Sequence, residues 1–151
     1  MNLVHCTHER HAAAILEIFN EAILNSTVLW EYRPRSPAFM VDWFATKARG
    51  GYPVLGAEDD SGRLLGFASY GAFRAWPAYK YTVEHSVYVH HEHRGRGLGR
   101  LLLGALIEAA REHDCHVMVG GIEASNAPSI ALHTAFGFTH AGTVREAGYN
   151  L

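Results

Sequence analysis

Residues 86–109 confine the fold of this chain more tightly than any other stretch. Ser86-Val87-Tyr88-Val89 is rich in β-branched and aromatic residues, the composition of a strand. Beyond Arg94-Gly95-Arg96-Gly97-Leu98-Gly99-Arg100, the residues Leu98, Leu101, Leu102, Ala105, Leu106 and Ala109 recur at helical spacing. Strand, glycine-rich turn and helix therefore follow one another without a break. Glycines let backbone amides come close to a ligand, and the free N–H groups of a helix start attract anions. The turn is a phosphate cradle by construction. It is not a P-loop, because no Gly-x-x-x-x-Gly-Lys-Ser/Thr string exists in the chain. Nor is it a dinucleotide fingerprint: Gly95, Gly97 and Gly99 are spaced by twos, and no acidic residue closing a following strand is placed to hold a ribose.

The flanking sequence reads as one α/β unit, a single domain over residues 1–151. A strand at Leu3 to Cys6 precedes a Thr7-capped helix from His8 to Leu24, with Ala14, Ile15, Ile18, Phe19 and Ala22 on one face. A second helix from Pro37 to Ala48 presents Phe39, Met40, Trp43 and Phe44. Strands at Val54 to Glu58 and Leu64 to Tyr70 are joined by Asp59-Asp60-Ser61-Gly62, a hairpin-type turn. The long strand to Val89 and the helix from Leu98 to His113 follow, then a strand at Cys115 to Val119. Asn126 caps a helix with Pro128 in its first turn, and Gly137 ends it after Phe136. Phe138 to Val144 reads as a further strand.

Composition narrows the function classes. Hydrophobic residues make up 48% and charged residues 19%, which argues against disorder. A net charge of −2 argues against a nucleic-acid binder held by phosphate contacts. The first twenty residues are broken by histidines and lack the apolar core of a signal peptide, and no run approaches a membrane span. Cys6 and Cys115 are far apart, each inside an expected strand, as buried thiols of a reducing compartment would be. A cytoplasmic protein is expected.

The string Arg-x-x-Gly-x-Gly, from Arg94 through Gly97 to Gly99, resembles the pyrophosphate-binding signature of the GNAT superfamily of acetyl-CoA-dependent N-acetyltransferases. Asn126-x-x-Ser129, an apolar turn and Phe136-Gly137-Phe138 resemble its second signature, in which the asparagine bonds the pantetheine arm. Gly71-Ala72-Phe73-Arg74 and Glu84-His85-Ser86-Val87-Tyr88-Val89 are similar to the branch of phosphinothricin and methionine sulfoximine acetyltransferases, as are Asn25 to Trp30 and Gly51 to Leu55. The likeness runs from Val4 to Tyr149. It implies a mixed central sheet flanked by helices (α/β, or α+β by some schemes). It also implies a cytoplasmic homodimer and acetylation, without a required metal, of the α-amine of a small amino acid or analogue. Relatives continue past Gly148-Tyr149 with a further strand that pairs with Phe138 to Val144; this chain stops at Leu151, so the last strand of the sheet is expected to be missing.

The resemblance assigns roles residue by residue. Backbone amides from Gly95 through Arg96, Gly97, Leu98 and Gly99 to Arg100 would hold the CoA phosphates, with Arg94, Arg96 and Arg100 adding charge. Val87, Tyr88 and Val89 would meet the pantetheine as an added strand, and Asn126 and Ser129 would close its other side. Glu84 would be the general base for the amine. His133, where many relatives carry a tyrosine, would be a second proton-transfer group near the sulfur. Trp30, Phe73, Trp76 and Tyr79 could wall the acceptor site, Arg74 could clamp an acidic head, and His85 and Ser86 could add polar contacts. Phosphinothricin-specific enzymes carry a second basic residue where this chain has Trp76, which favours a less anionic acceptor such as methionine sulfoximine or methionine sulfone.

Plainer readings stand beside these. Glu84 could be an ordinary strand carboxylate, His133 a buried structural histidine, Arg74 a surface arginine, and Trp30 and Trp76 core or interface residues. A catalytically silent acetyl-CoA-binding sensor or assembly subunit fits the same CoA motifs. So does an acetyltransferase for a protein N-terminus or a polyamine. The histidine clusters at His5, His8 and His11 with Cys6, and at His90, His91 and His93, carry no expected metal. Neighbours on a strand point to opposite faces, and neither cluster has a second cysteine or a carboxylate set at zinc spacing.

Overall fold

The computed structural model describes residues 1–26 and 33–145. Five strands form one sheet in the order β1 (Asn2–His5), β2 (Val54–Glu58), β3 (Leu64–Ala72), β4 (Thr82–Val89), β5 (Val117–Gly120). Pairing is antiparallel from β1 through β4, and β4 and β5 run parallel. A parallel neighbour needs a crossover, and α3 (Leu98–Glu112) supplies it. The helices α1 (His8–Asn25) and α2 (Pro37–Gly50) precede β2, and α4 (Ala127–Ala135) follows β5.

Two apolar clusters fix these layers. Leu98, Leu102 and Leu106 of α3 pack on Leu55, Ala57, Ala68, Tyr70 and Val83 of the sheet. On the other face Ile15, Ile18 and Phe19 of α1 and Met40 of α2 meet Val54, Leu64 and Phe67. Covering both faces explains why β2 and most of β3 are continuously buried rather than alternating. Helix starts follow their sequence signals: Thr7, Ser36 and Asn126 each accept a backbone N–H of the first turn they cap. Asp59 closes the β2–β3 turn by accepting from the amides of Ser61 and Arg63 and from the Ser61 hydroxyl.

Two expectations are corrected. Phe138 to Val144 forms no strand. Strand backbone needs a hydrogen-bonding partner, and β5 makes its described pairs with β4 alone. Both cysteines fall just outside the strands: Cys6 follows β1, and the amide of Cys115 donates to Ala110 at the end of α3. Both are half-buried thiols, and burial pushes Cys6 up to about 12, helped by the Glu58 charge.

Candidate active site

The site begins where β4 and β5 part. Their pairing runs from Thr82 opposite Val117 to His85 opposite Gly120 and stops there. Beyond this point Ser86 to Val89 remain paired to β3 on one side only, while the chain leaves β5 through Gly121 towards α4. A cleft of about 570 Å³ opens between them, lined by Ser86 to Val89, Gly120 to Glu123, Asn126, Ser129 and His133. Backbone N–H and C=O groups of a strand exposed along one edge will take an extended ligand as an added strand. The Tyr88 ring instead packs against Phe19 and Phe67 on the α1 side, so its contribution to the cleft is its backbone.

At one end of the cleft stands the glycine turn. Gly95 and Gly97 hold φ of +79° and +76°, the left-handed region that L side chains enter at a cost of roughly 1–2 kcal/mol. Gly97 is the N-cap of α3 and no side chain caps that helix, so its first N–H groups keep their capacity to bind an anion. Leu98 anchors the turn with 2% exposure. Arg96 and Arg100 are exposed beside it, the Arg100 guanidinium 5.8 Å from the Phe136 ring centre. Arg94 lines the cleft and lies 3.7 Å from the Glu21 carboxylate of α1. An uncapped helix start, a side-chain-free turn and three arginines fit a diphosphate group. Asn126 spends its side-chain oxygen on the Ser129 amide, which leaves its NH2 to donate elsewhere.

At the other end two buried imidazoles face each other. His85 Nε2 lies 2.8 Å from His133 Nε2, His85 Nδ1 is 3.1 Å from the Val119 carbonyl, and His133 Nδ1 is 2.7 Å from the Ser129 carbonyl. Phe138 packs on both rings. Burial pushes His85 down to about 4, with the His133 charge acting in the same direction and the Val119 bond opposing. Sequence reading offered His85 as an acceptor contact; in the fold both of its ring nitrogens are already engaged. Its parity with Val83 and Val87 on β4 was the signal that places it on the α3 side of the sheet.

Glu84 projects from the opposite face of β4, is exposed, and holds Oε2 where a Cβ on Gly121 would lie 3.2 Å away. It therefore flanks the peptide at which the cleft opens, although it is not among the residues lining it. Ser86 does line it. Phe73, Arg74, Trp76 and Tyr79 come together after β3 as a platform outside the cleft, with Arg74 and Trp76 exposed and Phe73 and Tyr79 half-buried. Tyr79 stacks obliquely on Phe73 and Trp76, and the Arg74 guanidinium lies over Phe73 and donates to its carbonyl at 2.7 Å. Trp30 lies outside the described residues.

The histidine clusters behave differently from the strand argument made above. His91 to His93 form a 3-10 turn, so His90, Glu92 and His93 do bring ligand atoms within 4.8 Å of one another, a carboxylate included. Both nitrogens of His90 are engaged, Nδ1 by the Glu92 amide and Nε2 by Glu17 at 3.2 Å. His11 is committed elsewhere: the Thr7 amide donates to its Nδ1, and its Nε2 donates to Glu58 at 2.9 Å.

Comparison with known proteins agrees with this geometry. The family model of the GNAT acetyltransferases matches residues 13–138. The L-methionine sulfoximine/L-methionine sulfone acetyltransferase of Pseudomonas aeruginosa is 49% identical over 134 residues, 89% of this chain and 78% of that protein. The crystal structure of a ribosomal-protein-alanine N-acetyltransferase from Brucella melitensis superposes with a TM-score of 0.95 at 41% identity, covering 99% of this chain and 91% of that one. A phosphinothricin acetyltransferase from Sinorhizobium meliloti in complex with acetyl-CoA superposes at 0.94 with 34% identity, covering 99% and 80% respectively. With its parted β4 and β5, its uncapped α3 and the family model spanning both, the chain belongs to the GNAT family of acetyltransferases.

Proposed function

We propose that this protein transfers an acetyl group from acetyl-CoA to the α-amine of a small amino acid of the methionine sulfone or methionine sulfoximine type. The observation that carries the reading is the continuous path from the uncapped α3 start, along the open backbone of Ser86 to Val89, to the His85–His133 end of the cleft. Acetyl-CoA has that layout, with an anionic diphosphate at one end, an amide-bearing arm in the middle and a thioester at the other. Gly95 to Arg100 and the three arginines hold the phosphates. Val87 and Val89 bond the pantetheine through their backbone, Asn126 adds its free NH2, and one strand N–H polarises the thioester carbonyl.

The amine must lose a proton before it attacks, and Glu84, at the edge of the cleft, takes it directly or through water. The thiolate expelled from the tetrahedral adduct must gain one, and His133 supplies it. Phe73, Arg74, Trp76 and Tyr79, with Trp30, form the acceptor side in this reading, reached from the Glu84 face of β4. A homodimer of single-domain chains in the cytoplasm belongs to the same account, and sedimentation reads its oligomer. Among the described residues no helix is long and apolar enough to cross a membrane.

Thiol release from acetyl-CoA tests the reading, with methionine sulfone, methionine sulfoximine, phosphinothricin, spermidine and an alanine-terminated peptide as parallel acceptors. Turnover of the first two above the rest is expected. The resemblance to the Brucella protein favours one second reading, acetylation of a protein N-terminus, and preferential turnover of the peptide would establish it.

A further inference from the structure

The hydrogen bonds around the two buried histidines leave a proton unaccounted for. A carbonyl oxygen only accepts, so the contacts to Val119 and Ser129 place a hydrogen on the Nδ1 of each ring. In two neutral imidazoles both Nε2 atoms would then be bare lone pairs, yet they face each other at 2.8 Å. Flipping either tautomer sets a bare Nδ1 against a carbonyl oxygen, at 3.1 Å for His85 and 2.7 Å for His133, and the Ser129 hydroxyl, 3.5 Å from His133 Nδ1, is too distant to relieve that contact. One additional proton between the Nε2 atoms satisfies all four nitrogens.

We propose that His85 and His133 form a proton-bound pair with one positive charge, and that His85 is the positioning residue that keeps His133 loaded with the proton given to the departing thiolate. The proposal rests on the acetyl-transfer reading and adds His85 to it. In the step, the C–S bond of the tetrahedral adduct breaks and its electron pair stays on sulfur. The shared proton passes to that sulfur as the neutral pair is left behind. The second proton of the attacking nitrogen, lost as the amide forms, restores the pair. One proton, taken earlier from the ammonium group by Glu84, goes to solvent. The opposed lone pairs of the neutral state draw a proton back, while burial, which disfavours charge on His85, keeps the pair able to give it up. Release requires a better acceptor than water, which a thiolate is.

The surroundings support a lone pair of imidazoles. β5 and α4 carry no other titratable side chain. Glu84 leaves β4 by the other face, the Glu123 carboxylate is engaged by Ser125, Arg94 and Glu21 line the cleft and pair with each other, and Phe138 covers both rings. Gly120 is fitted to the pair, because a Cβ there would lie 2.9 Å from His85 Cε1 and 3.4 Å from His133 Cδ2.

Nitrogen-15 NMR of the histidine-labelled protein at pH 7, without ligand, counts the protons. The four nitrogens of the pair are identified by the two signals lost in His85→Gln together with the two lost in His133→Gln. Three protonated nitrogens of four are expected; two of four, as in a pair of neutral rings, would overturn the proposal. Kinetics give the second readout. His85→Gln should lower kcat by roughly tenfold, a fraction of the 10²–10⁴ of a general acid. It should keep the KM for acetyl-CoA within about twofold and move the alkaline limb of the kcat profile to lower pH. An unchanged profile with only KM affected would refute the role of His85. If no acceptor is turned over while three nitrogens are protonated, the acetyl-transfer reading fails and the pair stands. Two protonated nitrogens with turnover intact would sink the pair alone.

Discussion

Removing Glu58 should cost this fold more than removing any exposed carboxylate. Glu58 ends β2 with 6% exposure. Its Oε2 accepts from His11 Nε2 at 2.9 Å and from Arg10 Nη2 at 3.0 Å. The His11 bond, followed by the Arg10 charge, holds its carboxyl below the ordinary value of 4.5 against the opposing effect of burial. Glu58→Ala strands the His11 N–H in a side chain only 2% exposed. Breaking a buried pair from one side costs about 3–5 kcal/mol. Arg10 is 61% exposed and rehydrates at little cost, which places the expected loss near the lower bound, about 3 kcal/mol. For a chain of this size that is roughly 10 °C in Tm. Glu58→Gln retains an acceptor for His11 and should lose about half as much. A folded-state value below the unfolded one means that the stabilisation is fully present above the unfolded carboxylate range. It is lost as pH falls through the folded value. The gap between wild type and Glu58→Ala in urea midpoint should therefore be constant from pH 6 to 8 and narrow below about 4. A loss under about 1 kcal/mol, or a gap that does not narrow in acid, would refute the argument.

Three further outcomes are expected. Gly97→Ala, which forces a Cβ into the left-handed region, should destabilise the protein by about 1–2 kcal/mol; calorimetric titration should show weaker acetyl-CoA binding with His133 and Glu84 untouched. Lys47 is buried enough to be pulled down to about 8, and donates to the Tyr70 carbonyl at 2.9 Å. Its depressed value means the unfolded chain binds more protons between about 8 and 10.5, so stability should rise with pH across that window and Lys47→Met should abolish the rise in urea titrations. Leu102→Ala, at a position with 0% exposure between α3 and the sheet, should cost about 2–5 kcal/mol by thermal unfolding.

How much of this was legible in the sequence differs by element. The starts of α1, α2 and α4 were readable because their signals are local: Thr7, Pro37 and Asn126 with Pro128 need only their own first turn. The glycine turn was readable for the same reason, since Gly97 both ends the loop and begins α3. Partner-dependent features were not. Phe138 to Val144 has strand composition, but composition does not supply the neighbour that a ladder requires. Phe73, Arg74, Trp76 and Tyr79 come together because they are neighbours in the chain, yet their position relative to the cleft depends on how β3 leaves the sheet after Ala72. The His85–His133 and His11–Glu58 contacts join residues 48 and 47 positions apart, and no local pattern pairs them. For His90, Glu92 and His93 the error was one of period, a strand argument applied to a 3-10 turn.

The central claim is that the cleft beyond His85 and Gly120 seats acetyl-CoA for attack by an amine that Glu84 deprotonates. One measurement tests it most directly: thiol release with methionine sulfone by wild type and Glu84→Gln, alongside acetyl-CoA affinity for each. Wild-type turnover that falls by roughly 10²–10⁴ in Glu84→Gln, with acetyl-CoA affinity unchanged, is the predicted result. Equal turnover by both proteins, or tight acetyl-CoA binding with no turnover of any acceptor by the wild type, would contradict it.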